Sequence, residues 1–191
     1  MTAPRVEQYV RDLFQGSSVS VEVISDVKTI EKEYPLFAAV NRCANGKQIC
    51  NSIFLGLKII AILDIDVDRH AGRVIYLRYK GSGPIEKTIY LVGKGVTYDT
   101  GGCDIKAGGI MAGMHRDKCG SAAVAAFMKV VDELKPVNVE VVGAMAMVRN
   151  SVGSNAYVSD EIITSRAGVR VRVGNTDAEG RMAMADVLCK V

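Results

Sequence analysis

The chain has no tryptophan, and aromatic residues make up only 6% of its 191 residues. No basic cluster is interleaved with them, and a net charge of +3 is too small to argue for nucleic acid or an anionic membrane. The cysteines (Cys43, Cys50, Cys103, Cys119 and Cys189) are odd in number and share no CxxC spacing. They read as reduced thiols of a cytoplasmic protein rather than a zinc knuckle or a disulfide framework. The N-terminus, MTAPRVEQYVRDLF, lacks the apolar core of a targeting peptide. The longest apolar run, NSIFLGLKIIAIL, is broken by Lys58 and falls short of the roughly 20 residues of a membrane span. Gly93-Lys94-Gly95 lacks the spacing of a nucleotide loop and has no Ser or Thr after the lysine. No internal repeat or low-complexity tract is present.

What is there is an ordinary globular composition, 49% hydrophobic and 24% charged, at the size of one domain. Thr2 and Pro4 open an amphipathic helix with Val6, Tyr9, Val10 and Leu13 on one stripe, ended by Gly16. Residues 18–24 alternate like a strand, and Asp26 caps a second helix through Tyr34. Residues 73–79, 87–92 and 139–148 read as strands, and 169–173 as a short one. Residues 119–134 form the clearest helix, with Val124, Phe127, Met128, Val131 and Leu134 on its apolar face and Pro136 beyond its end. A further helix starts near Gly180. Alternating elements with near-continuous apolar strands predict an α/β fold, a mixed and largely parallel sheet flanked by helices.

The chemistry concentrates in residues 92–117, VGKGVTYDTGGCDIKAGGIMAGMHRD, and in NTDAEGR at 175–181. Lys94, Asp99, Lys106 and Asp117 are threaded through glycines in the first, and Asp177, Glu179 and Arg181 follow in the second. Two residues apart on an extended chain, Asp177 and Glu179 leave one face about 6–7 Å apart. That suits two cations about 3.5–4 Å apart. Four carboxylates drawn together would repel, and two divalent ions would neutralise them. The oxygen-rich set, free of thiolate, favours zinc, manganese, magnesium or cobalt. The bland alternative is a glycine-rich turn with solvated Asp and Lys.

These stretches resemble the cytosolic leucyl aminopeptidase family, the two-metal M17 metallopeptidases. NTDAEGR falls in the family's signature, and Lys-x4-Asp-x6-Lys-x10-Asp matches the spacing before it. The likeness is clear over residues 88–188 and weaker over 1–43, and YDTGG and RNSVGSNA are similar to the probable-aminopeptidase branch. The resemblance implies that Asp99 and Glu179 bridge two divalent ions (zinc or manganese), that Lys94 and Asp117 complete one site, and that Asp177 completes the other. It implies that Lys94 binds as a neutral amine, that charged Lys106 polarises the scissile carbonyl, and that Arg181 anchors a bicarbonate. It further implies cytoplasmic hydrolysis of the N-terminal bond of peptide substrates by a homo-oligomer, a hexamer in full-length relatives. The other reading is an inactive aminopeptidase-like binding or scaffold protein, or an incomplete gene product.

Some positions depart from the pattern. His115 stands where relatives often carry lysine, Asp104 where they tend to have serine, and Arg149 where many have glutamate. Residues 46–66 have no counterpart in the resemblance and are expected to be a buried strand or helix, or an added segment such as translated intron. The chain as a whole, 1–191, is expected to be a partial catalytic domain ending inside the helix begun near Arg181, with little activity by itself.

Overall fold

The computed structural model describes residues 1–44, 50–54, 57–61, 67–108 and 111–190, with only the backbone described at 50–54, 57–61 and 67. Its helices are α1 (Ala3–Leu13), α2 (Val27–Glu33), α3 (Pro35–Asn41), α4 (Cys119–Leu134) and α5 (Glu179–Lys190). Its strands are β1 (Ser20–Ile24), β2 (Cys50–Phe54), β3 (Leu57–Ala61), β4 (Arg73–Lys80), β5 (Lys87–Asp99), β6 (Val139–Asn150), β7 (Ile162–Thr164) and β8 (Arg170–Arg172).

The central sheet has the order β1-β4-β6-β5, and each face carries a core. Alternation along β4 explains why: Val74 and Tyr76 enter one cluster, Ile75 and Leu77 the other. Helices α1 and α4 cover one face through Val6, Val10, Val124, Met128 and Val131. Helices α2, α3 and α5 cover the other through Ile30, Phe37, Val40, Ala183 and Val187. Met145 and Met147 are core residues, as their place in an apolar run suggests. Asp26 caps α2 as expected, accepting from the Thr29 N–H at 2.8 Å.

The expectation of a largely parallel sheet is corrected. Only β5 and β6 run parallel; β1–β4 and β4–β6 are antiparallel. Continuous apolar runs report that both faces are covered, and helices do cover both here. They do not report direction, which the connections set. The link between β4 and β5 is too short for a crossover, so the chain reverses and β6 slots between the two. The apolar stripes also shift: Tyr9, Phe127 and Leu134 are exposed. The short strand β8 pairs with β7 outside the central sheet.

Within 46–66, β2 and β3 form a separate antiparallel pair, so that part of the backbone is strand, while whether its side chains are buried lies outside the described residues. Residues 45–49, 55–56 and 62–66, and with them the question of an added segment, lie outside the described residues.

One partly buried link ties the layers together. Ser18, ahead of β1, donates its N–H (2.8 Å) and hydroxyl (2.6 Å) to Asp132 of α4, which also pairs with Lys129 at 3.0 Å. Hydrogen bonds from the Ser18 hydroxyl, Lys129 and the Ser18 amide hold the Asp132 carboxyl at about 2, below its ordinary 3.8. A depressed carboxyl stabilises the fold above its unfolded value and loses that contribution as pH falls towards the folded one. Asp132→Asn should therefore be less stable than the parent at pH 6, with the gap closing between about pH 4 and pH 2. Urea midpoints across that range test it; a constant gap would refute the assignment.

Candidate metal centre

Two glycines, Gly93 and Gly120, bring backbone against backbone beneath the site. A Cβ on Gly93 would lie 2.6 Å from the Gly120 carbonyl oxygen and 2.7 Å from Ser121 Cα. One on Gly120 would lie 2.9 Å from the Lys94 nitrogen. The strand β5 thus rests directly on the first turn of α4, and the Ser121 hydroxyl donates to the Gly93 carbonyl at 2.8 Å. These glycines do not open a loop. Against expectation, Lys94 and Asp99 lie on β5 itself, which stays paired with β6 through Val96 and, after an irregularity, again at Asp99 opposite Asn150.

Beyond Asp99 the chain folds back through Gly101 and Gly102, both at positive φ. The Lys106 amide donates to the Thr100 carbonyl at 2.8 Å and returns the lysine to Asp99. The second stretch is not extended either. Thr176–Ala178 is a 3₁₀ turn and Glu179 begins α5, so turn geometry rather than strand alternation places Asp177 and Glu179.

The structure brings most of the expected residues together. Asp99, Asp117 and Glu179 each offer an oxygen within 4.8 Å of one another. Lys94 Nζ lies 2.6 Å from Asp117 Oδ2 and 2.7 Å from Glu179 Oε1. Its stem crosses Gly180, where a Cβ would meet Cε at 2.7 Å. Lys106 Nζ lies 3.0 Å from Asp99 Oδ2 and pairs with Asp177 Oδ1. Asp177 is more exposed and reaches the group through Lys106. Arg181 is exposed and, among the described residues, makes no hydrogen bond or ion pair. His115 is exposed, in keeping with a place outside the ligand set.

Burial opposes charge on Glu179, whose carboxyl is raised despite Lys94, with Asp99 adding to the rise. At Asp99, burial is outweighed by the Gly101 amide, Lys106 and Asn150, and the carboxyl is lowered. Burial likewise works against both lysines, yet Asp117 and Glu179 raise Lys94, and Asp177 and Asp99 raise Lys106. With only the protein's own charges acting, Lys94 is an ammonium. The depression expected for a metal-ligating lysine must come from the cations.

The residues fit a divalent cation. Buried oxygens Asp117 Oδ2 and Glu179 Oε1 receive no hydrogen bond of normal geometry, although Lys94 is close to both. They converge with Asp99 as hard donors, beside an amine able to bind once neutral.

Sequence reasoning passed over Asn150. Fully buried, it donates through Nδ2 towards Asp99 Oδ1 (2.8 Å), the Thr176 carbonyl (3.1 Å) and Glu179 Oε2 (3.2 Å). The available signal was a polar residue closing a strongly apolar strand. Its neighbour Arg149 turns away, towards His70 and the Tyr98 ring.

Residues 61–191 match the model of the family described as cytosol aminopeptidase family, catalytic domain. A protein of Caenorhabditis elegans named a putative aminopeptidase is 49% identical over 188 residues, 98% of this chain and 32% of its own length. Proteins named probable cytosol aminopeptidase from Aquifex aeolicus and Persephonella marina are 46% and 44% identical over 116 and 117 residues. Each match covers 61% of this chain and 23% of that protein. The chain thus spans about a third or less of the length of these relatives.

The contact beneath the site can be tested by itself. Gly93→Ala places a methyl against backbone atoms that no rotamer change can move, so it should destabilise by about 1–3 kcal/mol. Chemical denaturation reads this directly; a change within about 0.5 kcal/mol, the usual range for surface substitutions, would show that β5 and α4 are not in such contact.

Proposed function

The chain belongs to the cytosol aminopeptidase family, and on that premise we propose that it carries a two-metal aminopeptidase centre for hydrolysing the N-terminal bond of peptides. The observation that carries this reading is the convergence of Asp99, Asp117 and Glu179 around Lys94, whose amine lies 2.6 and 2.7 Å from buried oxygens of Asp117 and Glu179. In this reading Asp99, Glu179, Lys94, Asp117 and Asp177 would hold two divalent ions (zinc or manganese). Bound there, the ions would supply an activated water, Lewis acidity towards the carbonyl and an anchor for the substrate's free α-amine.

The chain's own groups account for the rest. Lys106 keeps its proton beside Asp99 and Asp177 and can donate from Nζ to an oxygen that gains negative charge. Lys94 Nζ must lose a proton to become a ligand, and Gly180 leaves room for its stem. Arg181, exposed and unpaired among the described residues, is suited to hold a small anion such as bicarbonate. Peptide substrates, a hexameric assembly and a cytoplasmic setting belong to the same proposal. No helix among the described residues is long and apolar enough to cross a membrane.

Metal analysis after loading with zinc or manganese should approach two ions per chain, and Asp99→Ala should remove most of both. Stoichiometric binding that survives Asp99→Ala would sink the bridging role.

In any form of the protein that turns over a leucyl amide, Lys106→Ala should lower kcat by about 10²–10³ while metal content is retained. Undiminished kcat would reject Lys106 as the donor, and metal binding without any turnover would favour a binding protein.

A further inference from the structure

Asp104 follows the double-glycine turn and lies two residues before Lys106. By charge alone it would be a fifth carboxylate crowding the centre. Its hydrogen bonds give it another task. Oδ2 accepts from the Thr176 amide at 2.7 Å and from the Ser159 hydroxyl at 2.8 Å. The Asp104 amide in turn donates to Thr176 Oγ1 at 2.8 Å, and that hydroxyl donates to the Gly101 carbonyl at 2.6 Å. The same contacts hold the Asp104 carboxyl below its ordinary value. Among the described residues it is not one of the carboxylates grouped around Lys94.

Thr176 is fully buried and immediately precedes Asp177. Its carbonyl accepts from Asn150 Nδ2 at 3.1 Å and Tyr157 Oη at 2.8 Å, so its amide, hydroxyl and carbonyl are all engaged. At the next residue the Asp177 amide is taken by Asn175 Oδ1 at 2.7 Å. Asn175 therefore caps the turn from within, while Asp104 reaches it from the other ligand-bearing stretch. Among the described residues, the Asp104–Thr176 exchange and the Thr176–Gly101 bond join the two stretches directly, beside the lysine ion pairs and the bridge that Asn150 makes from β6.

We propose that Asp104 is a positioning residue: through Thr176 it sets Asp177 and Glu179 in register with Asp99 and Lys106. The role rests on the metal-centre reading for its functional consequence, but the clamp belongs to the protein alone. It depends on an acceptor at this point, not on a negative charge. Asparagine can therefore replace aspartate, and alanine cannot.

The test compares the parent chain with Asp104→Ala and Asp104→Asn. Without added metal, backbone hydrogen exchange at Thr176 should quicken by about tenfold or more in Asp104→Ala and stay near the parental rate in Asp104→Asn. Unchanged exchange within α4 shows that each variant is folded. In manganese or zinc titrations Asp104→Ala should bind about 10–100-fold more weakly, with Asp104→Asn close to the parent. Parental exchange at Thr176 in folded Asp104→Ala would overturn the proposal. So would equal losses in both variants, which would mark charge as the operative property. If the parent itself takes up neither metal, the metal-centre reading fails, and the exchange comparison still decides whether Asp104 sets the register.

Discussion

Glu179 is a carboxylate with no solvent exposure, and its charge is the constraint that the surrounding structure answers. Removing an ion from water costs several kcal/mol or more unless the site returns equivalent interactions. Three elements respond. Strand β5 delivers Lys94 to one oxygen, and β6 ends in Asn150 against the other. Helix α5 begins at Glu179, placing the carboxylate at a helix N-terminus, where negative charge is favoured. Lys94 can reach it only because Gly180 has no side chain, and β5 can carry Lys94 there only because Gly93 and Gly120 let strand and helix touch.

The location follows from the one parallel pair in the central sheet. Strands β5 and β6 end on the same side, and their last residues, Asp99 and Asn150, are paired in register. Ligand sites of open α/β sheets lie beyond the carboxyl ends of parallel strands, where loops and helix N-termini converge. The antiparallel partners β4 and β1 extend the sheet and bury both its faces but place no residue in the site. The fold can therefore be mostly antiparallel while its chemistry sits at a parallel edge.

The sequence made helices and core strands legible because burial leaves a periodic mark: Asp26 before α2, the extent of α4 and the run of β6 were readable at once. The residues that converge around Lys94 were legible through residue type and spacing in a matched motif. What escaped was whatever depends on neighbours distant in sequence. The strand read as ending at residue 92 because the reason for the glycines around Lys94, the backbone of Gly120 some 25 residues on, leaves no local trace. Strand direction escaped for the same reason, as did Asn150, whose importance exists only once Asp99 and Glu179 are brought to it.

The two lysines show how one residue type takes two tasks. Both face a pair of carboxylates, and both are raised as ammonium groups by them. Their surroundings differ in what happens when divalent charge arrives. Lys94 is threaded over Gly180 between Asp117 and Glu179 and pairs with a buried oxygen of each, so it cannot withdraw without leaving them exposed to each other. Cations at that point would repel its proton and leave the amine in place as a donor. Lys106 pairs instead with Asp99 and with the more exposed Asp177, outside the pair that Lys94 faces. Proximity to carboxylates is common to both. Which carboxylates each lysine faces separates a candidate ligand from a candidate hydrogen-bond donor.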